Sequence, residues 1–516
     1  MEHVPWWQSC VVYQIYPRSF ADTTGDGVGD LQGIRSRLPY LQWLGVDVLW
    51  LSPVFRSPMA DFGYDVSDYC DIDPLFGTLA DMDDLIAECH ERGMRLMLDW
   101  VPNHTSVEHR WFQESRTDRT NPKADWYVWR DQPANNWLCS FSGGAPAWTF
   151  DEARSQWYLH CFLSEQPDLN WDNPNVEQAM HDTLRFWLNR GVDGFRMDVV
   201  HLIGKQLDRD DPTRAVEKGY SHVPFNDAPV THERLRRIRG LLDSYPGERA
   251  SVGEVYLLNE AAMAPYYGQD DELHMSFNFA FVWTKWDAAA LRERISSTIA
   301  HLGPIGAWPT WVISNHDVPR HRQRYGGTEA AARMATIMLL TLPGTPFMYQ
   351  GEELGLLDAV VSGEQQRDPG GRDGCRAPIP WTPNACDGRS DHSHHGWPAE
   401  PWLPFAPESE FRNVATMRDD EQSILHLYRN MLALRHAHPA LQRGEFRLLD
   451  SGEHVLAYER SAGDQRLVVV LNLGDQPTTM HDVRHSVVLL GSIEDAARAD
   501  DTLVVAAHSG VVVQLP

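Results

Sequence analysis

Basic residues are in short supply. The chain of 516 residues carries 45 Lys and Arg against 72 Asp and Glu, a formal net charge of −27. A surface of that sign repels phosphate backbones and anionic lipid, which argues against nucleic acid and membrane partners. A small neutral molecule stays compatible. Cysteine is sparse as well, with 7 residues and no CxxC pair. The odd count excludes a fully paired disulfide framework and leaves reduced, buried thiols as the simplest reading. A local Cys375–Cys386 bridge is the alternative. No apolar run reaches the roughly 18 residues a membrane helix needs. The opening MEHVPWWQSC has no basic stretch followed by an apolar run, so a secretory leader is not expected and the cytoplasm is the expected compartment.

Tryptophan, in contrast, is plentiful at 20 residues. Its flat apolar face serves ligand sites with C–H surfaces, such as sugars, and it serves cores equally well. With 42% hydrophobic residues the chain can bury a large core.

Short apolar runs alternate with helical patterns. Strands are expected at 11–16, 46–53, 95–104, 191–200, 250–256, 275–283, 308–314 and 345–350. Helices are expected at 31–45, 80–92, 176–190, 231–243, 286–300, 328–341 and 421–437. Repeated β-then-α order demands a parallel sheet covered by helices, and eight units favour a closed (β/α)₈ barrel. The alternation pauses over 105–171, a stretch of Trp, Asn, Pro and Gly too long for an ordinary loop. The expected organisation is a barrel from 1–104 and 172–440, a small inserted domain at 105–171 after strand three, and a C-terminal antiparallel β-sandwich domain at 441–516.

Barrel enzymes carry their chemistry at the C-terminal ends of the strands. There the sequence sets Asp99, Asn103 and His104, then Arg196, Asp198 and His201, then Glu254, then His316 and Asp317, with Asp61 after strand two. A core does not need so many carboxylates, because an unpaired buried charge costs several kcal/mol. Convergence at one barrel mouth is the economical explanation. Glycosidic cleavage needs a proton donor and a carboxylate on the opposite face of the sugar. Asp198 is the candidate nucleophile. Arg196, two residues away on the same strand face, would keep it ionised and oriented. Glu254, in the apolar GEVY setting, is the candidate acid/base, and Asp317 would stabilise positive charge on the sugar. His104 and His316 would bond hydroxyls. The structural alternative is a buried Arg196–Asp198 ion pair with satisfied histidines. Asp99 reads as an orienting group behind the site, and His201 and Asn103 fit either role.

A second cluster lies early, in ADTTGDGVGD. Asp22, Thr24, Asp26 and Asp30, with the carbonyl of Val28, place oxygen donors at the spacing of a short calcium loop. A structural Ca²⁺ is expected, with Mg²⁺ as second choice and a self-capped acidic turn as the alternative. No cofactor is expected for the chemistry.

DWVPNH at 99–104, GFRMDVVH at 194–201, GEVY at 253–256 and SNHD at 314–317 together resemble the α-amylase superfamily, glycoside hydrolase family 13. QPDLNW at 166–171 resembles its oligo-1,6-glucosidase and α-glucosidase branch. The resemblance spans nearly the whole chain. It implies Asp198 as nucleophile, Glu254 as acid/base and Asp317 as third carboxylate, with Arg196 beside the nucleophile. It implies that His104, His316, Asp61 and Tyr64 grip the terminal sugar, that Phe141 of FSGG forms an aromatic wall, and that Arg376 of CRAPIPW pairs with Asp61. Such a closed pocket implies exo action by a retaining α-glucosidase on short α-glucosides of isomaltose or maltose type, or sucrose, with transglucosylation open. Val199, just after the nucleophile, resembles α-1,6-preferring members. A dominant glucosyltransferase or a sucrose isomerase is the alternative. The isomerase is less favoured, as no aromatic-rich arginine loop is found near 318–330. A non-catalytic sugar-binding barrel would be expected to lose a catalytic carboxylate, and none is lost. The expected partner is a small neutral sugar, and the expected state a monomer or homodimer.

Overall fold

The structure, a computed structural model, describes residues 4–141, 144–211, 227–384, 394–483, 486–499 and 502–516. Eight strands make one sheet: β1 (Val12–Ile15), β2 (Val48–Leu51), β3 (Arg95–Trp100), β4 (Gly194–Met197), β5 (Ala250–Gly253), β6 (Met275–Ser276), β7 (Thr310–Val312) and β8 (Thr345–Tyr349). The order is β6-β5-β4-β3-β2-β1-β8-β7, with every pairing parallel. The two ends of the sheet meet where the Thr310 hydroxyl donates to the Ser276 carbonyl at 2.6 Å. This is the expected (β/α)₈ barrel. Its strands are buried on both faces, as a parallel sheet inside a helical ring must be.

Local chemistry sets the elements. Asp30 caps helix Leu31–Leu44 by accepting from Gly33 N, and Gly45 ends it at φ 97°. Thr78 and Asp81 form a capping box on helix Leu79–Glu91. The turn GVDG before β4 needs glycine at 194, since a Cβ there would sit 2.5 Å from the Ala250 carbonyl of β5. One expectation fails. The apolar run 275–283 is strand only at Met275–Ser276. Asn278 then accepts from Phe281 N at 3.0 Å and caps a short helix, Phe279–Val282. A side-chain cap overrides β propensity here.

Between β3 and β4 lie a short helix, Arg110–Ser115, and a three-stranded antiparallel sheet of Trp129–Arg130, Gln156–Leu159 and Trp148–Asp151. C-terminal to the barrel, a five-stranded antiparallel sheet runs in the order Glu445–Leu448, Val455–Ala462, Gln465–Asn472, Ser509–Gln514, Val487–Gly491. A second sheet of three strands joins it. Tyr458 fastens this unit to the barrel through its hydroxyl, 2.5 Å from that of Thr341 on helix Glu329–Thr341. Cys375 is a buried thiol that donates to the Arg372 and His316 carbonyls. Cys386, its suggested partner, lies outside the described residues. Among the described residues no helix is long and apolar enough to cross a membrane.

Glu352, just past β8, is buried with its Oε1 unpartnered. Burial pushes its carboxyl up to about 8. A raised acid favours the folded state while protonated, so this contribution is complete below the unfolded carboxyl pKa and is lost as pH climbs toward 8. Glu352→Gln should therefore raise the melting temperature at pH 8 more than at pH 5, with a differential on the order of a few kcal/mol. Melting curves at the two pH values check this, and equal shifts would refute it.

Candidate active site

Strand register brings the carboxylates together. Asp99 of β3 pairs with Arg196 of β4, and Arg196 pairs with Val252 of β5. Asp198 N bonds the Trp100 carbonyl at 2.9 Å and Glu254 N bonds the Met197 carbonyl at 2.8 Å. Each acid therefore follows the last rung of its strand, and the two stand side by side at the same barrel mouth.

Arg196 lies between them, 1% exposed. Its Nη1 donates to Asp99 Oδ1 and Asp198 Oδ1, both at 2.8 Å, and its Nη2 to Glu254 Oε2. One cation thus serves three carboxylates. Burial and the neighbouring Glu254 carboxylate outweigh Arg196 and push the Asp198 carboxyl well above its ordinary range. The expectation that Arg196 keeps Asp198 ionised is thereby corrected. The guanidinium is divided among three acids, so its charge does not by itself offset the burial of Asp198. Burial raises Asp99 to about 6. Asp99 stays behind the cavity, bonded to Arg196, Tyr64 and Trp50.

Val199 adopts φ 33°, ψ 40°, a costly left-handed conformation for a β-branched residue. That twist ends β4 and turns the Val199 N–H toward Glu254 Oε2 at 3.3 Å. His201 bonds the Glu254 carbonyl at 3.1 Å through Nδ1, so it supports the loop and does not line the cavity.

Asp317 faces the pair from the β7 loop. Burial works against its charge, but His316, Arg372 and Arg376 hold its carboxyl below the usual range. Burial lowers His316 to about 3, so at neutral pH the two arginines supply the positive charge. Gln14 of β1 donates to His316 Nδ1 at 2.7 Å, which leaves the imidazole proton on Nε2. That Nε2 stands 2.5 Å from the Tyr64 hydroxyl and 3.2 Å from Asp317 Oδ2. His104, lowered by burial to about 4, is fixed likewise by Asn103 on Nδ1 and the Tyr64 carbonyl on Nε2.

The residues enclose a cavity of about 180 Å³, the scale of a single sugar ring. Asp61, Tyr64, His104, Phe141, Asp198, Val199, Glu254 and Asp317 line it, as the sequence predicted for a common site. Arg196, His316 and Arg376 stand directly behind. One placement is corrected. Arg376 does not pair with Asp61; it bonds Asp317 at 3.2 Å, Asp368 at 3.1 Å and the His316 carbonyl. The partner of Asp61 is Arg372, at 2.7 Å, which also bonds Asp317 at 2.8 Å and Asp368. Arg376 is fully buried behind Asp317, while Arg372 lies across the cavity edge with its guanidinium 4.8 Å from the centre of the Phe141 ring. Sequence reasoning also missed Phe162, Tyr256, Phe279 and Trp283 on the walls. Trp283 is 44% exposed and donates to the Tyr256 hydroxyl at 3.0 Å. Gln166 of QPDLNW bonds Asp61 and His104, each at 3.1 Å.

The early acidic loop has closed on itself. Asp22 accepts from the N–H groups of Thr24, Gly25 and Gly27, Asp26 from Val28, and Asp30 from Thr23 and Gly33. Its carboxylates are occupied by N–H donors, and among the described residues no group of three or more acidic, His or Cys side chains is arranged for a metal. Asp22, Thr24, Asp26, Val28 and Asp30 thus form a turn bonded to its own backbone, and no metal enters the chemistry below.

The profile of the α-amylase catalytic domain matches residues 14–444. The chain belongs to the α-amylase family. It falls in the oligo-1,6-glucosidase branch. A probable α-glucosidase of Rhizobium meliloti is 42% identical, over 92% of this chain and 90% of that protein. An oligo-1,6-glucosidase of Parageobacillus thermoglucosidasius is 36% identical over 92% of each chain. Among solved structures, an α-glucosyl transfer enzyme matches at 42% identity and TM-score 0.92, covering 100% of both chains. The trehalulose synthase of Pseudomonas mesoacidophila matches over the same extent, at 32% identity and TM-score 0.92. In this α-amylase family member the Asp198–Glu254–Asp317 trio and the Asp61–Arg372 pair are parts of one cavity.

Proposed function

We propose that the protein is a retaining, exo-acting α-glucosidase. It releases terminal α-glucose from short α-glucosides through a covalent β-glucosyl ester on Asp198. The observation that carries this reading is that Asp198 and Glu254 both bind one guanidinium, that of Arg196, at the base of a ring-sized cavity. Carboxylates held side by side on one guanidinium leave little room for the water that an inverting enzyme must hold between acid and base. The Asp61–Arg372 pair crosses the cavity edge and limits it to a chain end. The names of the relatives support the substrate class.

Glu254 is the proton donor in this reading. Glu254 Oε2 is taken by Arg196 and the Val199 N–H, which leaves Oε1 to carry the proton toward the glycosidic oxygen. Asp198 then attacks C1 as the leaving oxygen takes that proton. Glu254, now ionised, removes a proton from water or from an acceptor hydroxyl, which attacks C1 and releases Asp198. Asp317 balances positive charge at the sugar in both steps.

Val199 and the kinship with oligo-1,6-glucosidases favour α-1,6 links. Transfer is the second reading, favoured by the open aromatic shelf of Tyr256, Phe279 and Trp283 where an acceptor would lie. Of the arginines in the 318–330 segment, Arg320 bonds the Gln350 carbonyl and Arg322 bonds Glu408, while Arg324 bonds the Val282 carbonyl and lies 5.8 Å from the centre of the Trp283 ring.

A product assay on isomaltose, maltose, sucrose and p-nitrophenyl α-glucoside tests the proposal. Free α-glucose from isomaltose is expected first, and release from none of the four sinks it. Activity should follow a bell-shaped pH curve, falling on the acid side as the nucleophile is protonated and on the alkaline side as the general acid is lost. Arg372→Met should raise KM for isomaltose by about tenfold or more by freeing Asp61, with a smaller effect on kcat. A change in kcat alone would show that Arg372 does not close the sugar pocket.

A further inference from the structure

The two rims of the catalytic cavity differ. Asp61, after β2, and Arg372, after β8, close one of them with an ion pair at 2.7 Å, and Phe141 lies against the guanidinium. Trp283 follows β6, four strands round the barrel from β2, and so stands at the opposite rim. It is 44% exposed. Its side chain lines the catalytic cavity and also a neighbouring depression of about 290 Å³, and it is the residue the two share.

The indole is held in place. Its Nε1 donates to the Tyr256 hydroxyl at 3.0 Å, and the Arg324 guanidinium lies 5.8 Å from the ring centre. Arg324 is itself committed to the carbonyls of Val282, Pro319 and Ile313, so it supports the ring. A large aromatic that is fixed before binding and still open to water loses little side-chain freedom when a ligand covers it. Sugar rings present C–H faces that suit such a surface.

The depression beyond Trp283 continues in the same chemistry. Leu258, 38% exposed, adds apolar surface. Lys285 and Glu293 are exposed, and among the described residues their side chains make no hydrogen bond or ion pair. Both are free to exchange water for sugar hydroxyls, which donate and accept at once. One charge of each sign selects no ion, and Arg294 is neutralised by Glu260 at 2.6 Å. The catalytic cavity, at about 180 Å³, is filled by one terminal sugar, so the rest of a chain has to leave across an open rim. Resting on the α-glucosidase reading above, we propose that Trp283 leads the chain into this depression, which binds the second sugar beyond the scissile bond. Neutral α-linked trisaccharides are then cleaved in preference to disaccharides.

Paired kinetics on the whole enzyme test it: isomaltotriose against isomaltose, and maltotriose against maltose, with release of terminal glucose followed in each. In the pair turned over faster, kcat/KM for the trisaccharide should exceed that for the disaccharide by about fivefold or more, since remote binding energy enters kcat/KM. Ala290→Trp fills the depression from helix Ala288–Leu302 and should bring this ratio to about one, with kcat/KM for p-nitrophenyl α-glucoside held within about twofold. The Ala290 N–H bonded to Asp287 is main chain and survives the change. Trp283→Ala, at an exposed side chain, should lower the ratio by about twofold or more. A ratio near one in the wild type overturns the proposal, as does a ratio that neither variant lowers. Both of those results come from an active hydrolase, so they differ from a failure of the α-glucosidase reading, in which no substrate releases glucose.

Discussion

Asp198→Asn should lose on the order of 10⁴-fold or more in kcat, and gain stability as it does so. The rate loss follows from removing the only atom placed to form the glucosyl ester. The gain follows from burial. The Asp198 carboxyl is pushed well above its ordinary range, so the fold favours its protonated form and loses stability as pH rises past the ordinary carboxyl pKa. An amide removes that penalty, and the melting temperature should rise most at alkaline pH. The substitution leaves Arg196 bonded to Asp99 and Glu254, so the site keeps its shape. A second variant separates nucleophile from bystander. Asp198→Ala with added azide should recover turnover and yield β-glucosyl azide, because the anion attacks from the side Asp198 vacates. An α-configured product, or near-normal activity in Asp198→Asn, would assign the nucleophile elsewhere. Glu254→Gln gives the complementary pattern. It should hurt isomaltose far more than p-nitrophenyl α-glucoside, whose leaving group needs little protonation.

The barrel was legible because its strands are short apolar runs between capped helices, and because acids in such runs have few structural excuses. Asp198, Glu254 and Asp317 stood out for that reason. The boundaries that shifted did so for local causes that periodicity does not carry. Asn278 stopped β6 early by capping a helical turn. The choice between Arg372 and Arg376 was not legible from residue type. They stand at the two ends of one 3-10 turn, Asp373–Arg376, four residues apart, and only the fold shows that Arg376 is enclosed behind Asp317 while Arg372 crosses to Asp61. The aromatic shelf had a different obstacle. Tyr256, Phe279 and Trp283 sit within or beside strand-like apolar runs, where an aromatic side chain reads as core until its exposure is known. The loop at 22–30 read as a cation site with a self-capped turn as the alternative, since both need oxygen atoms on alternate residues, and its carboxylates here accept from backbone N–H groups.

Arg196→Leu should be the most damaging single change to the fold at neutral pH and much milder in acid. The guanidinium is enclosed and bonds Asp99, Asp198 and Glu254 at once. Removing one partner of a buried ion cluster leaves the others uncompensated, which costs about 3–5 kcal/mol. Here the orphaned partners can escape by taking protons. Without the cation the Asp99 and Asp198 carboxyls, already raised, rise further, so the variant binds more protons folded than unfolded over a wider range, and its stability falls more steeply with pH than that of the wild type. Urea unfolding at about pH 5 and about pH 8 should show the variant's deficit growing by a few kcal/mol between them. Its activity should be lost at both, since no pH then offers an ionised Asp198 beside a protonated Glu254. Arg196→Lys tests whether charge alone suffices. A lysine brings the charge but not the planar fork that reaches carboxylates on three strands, so it should recover much of the stability and little of the turnover. If Arg196→Leu unfolded with the same pH dependence as the wild type, the three carboxylates would not be sharing one cation.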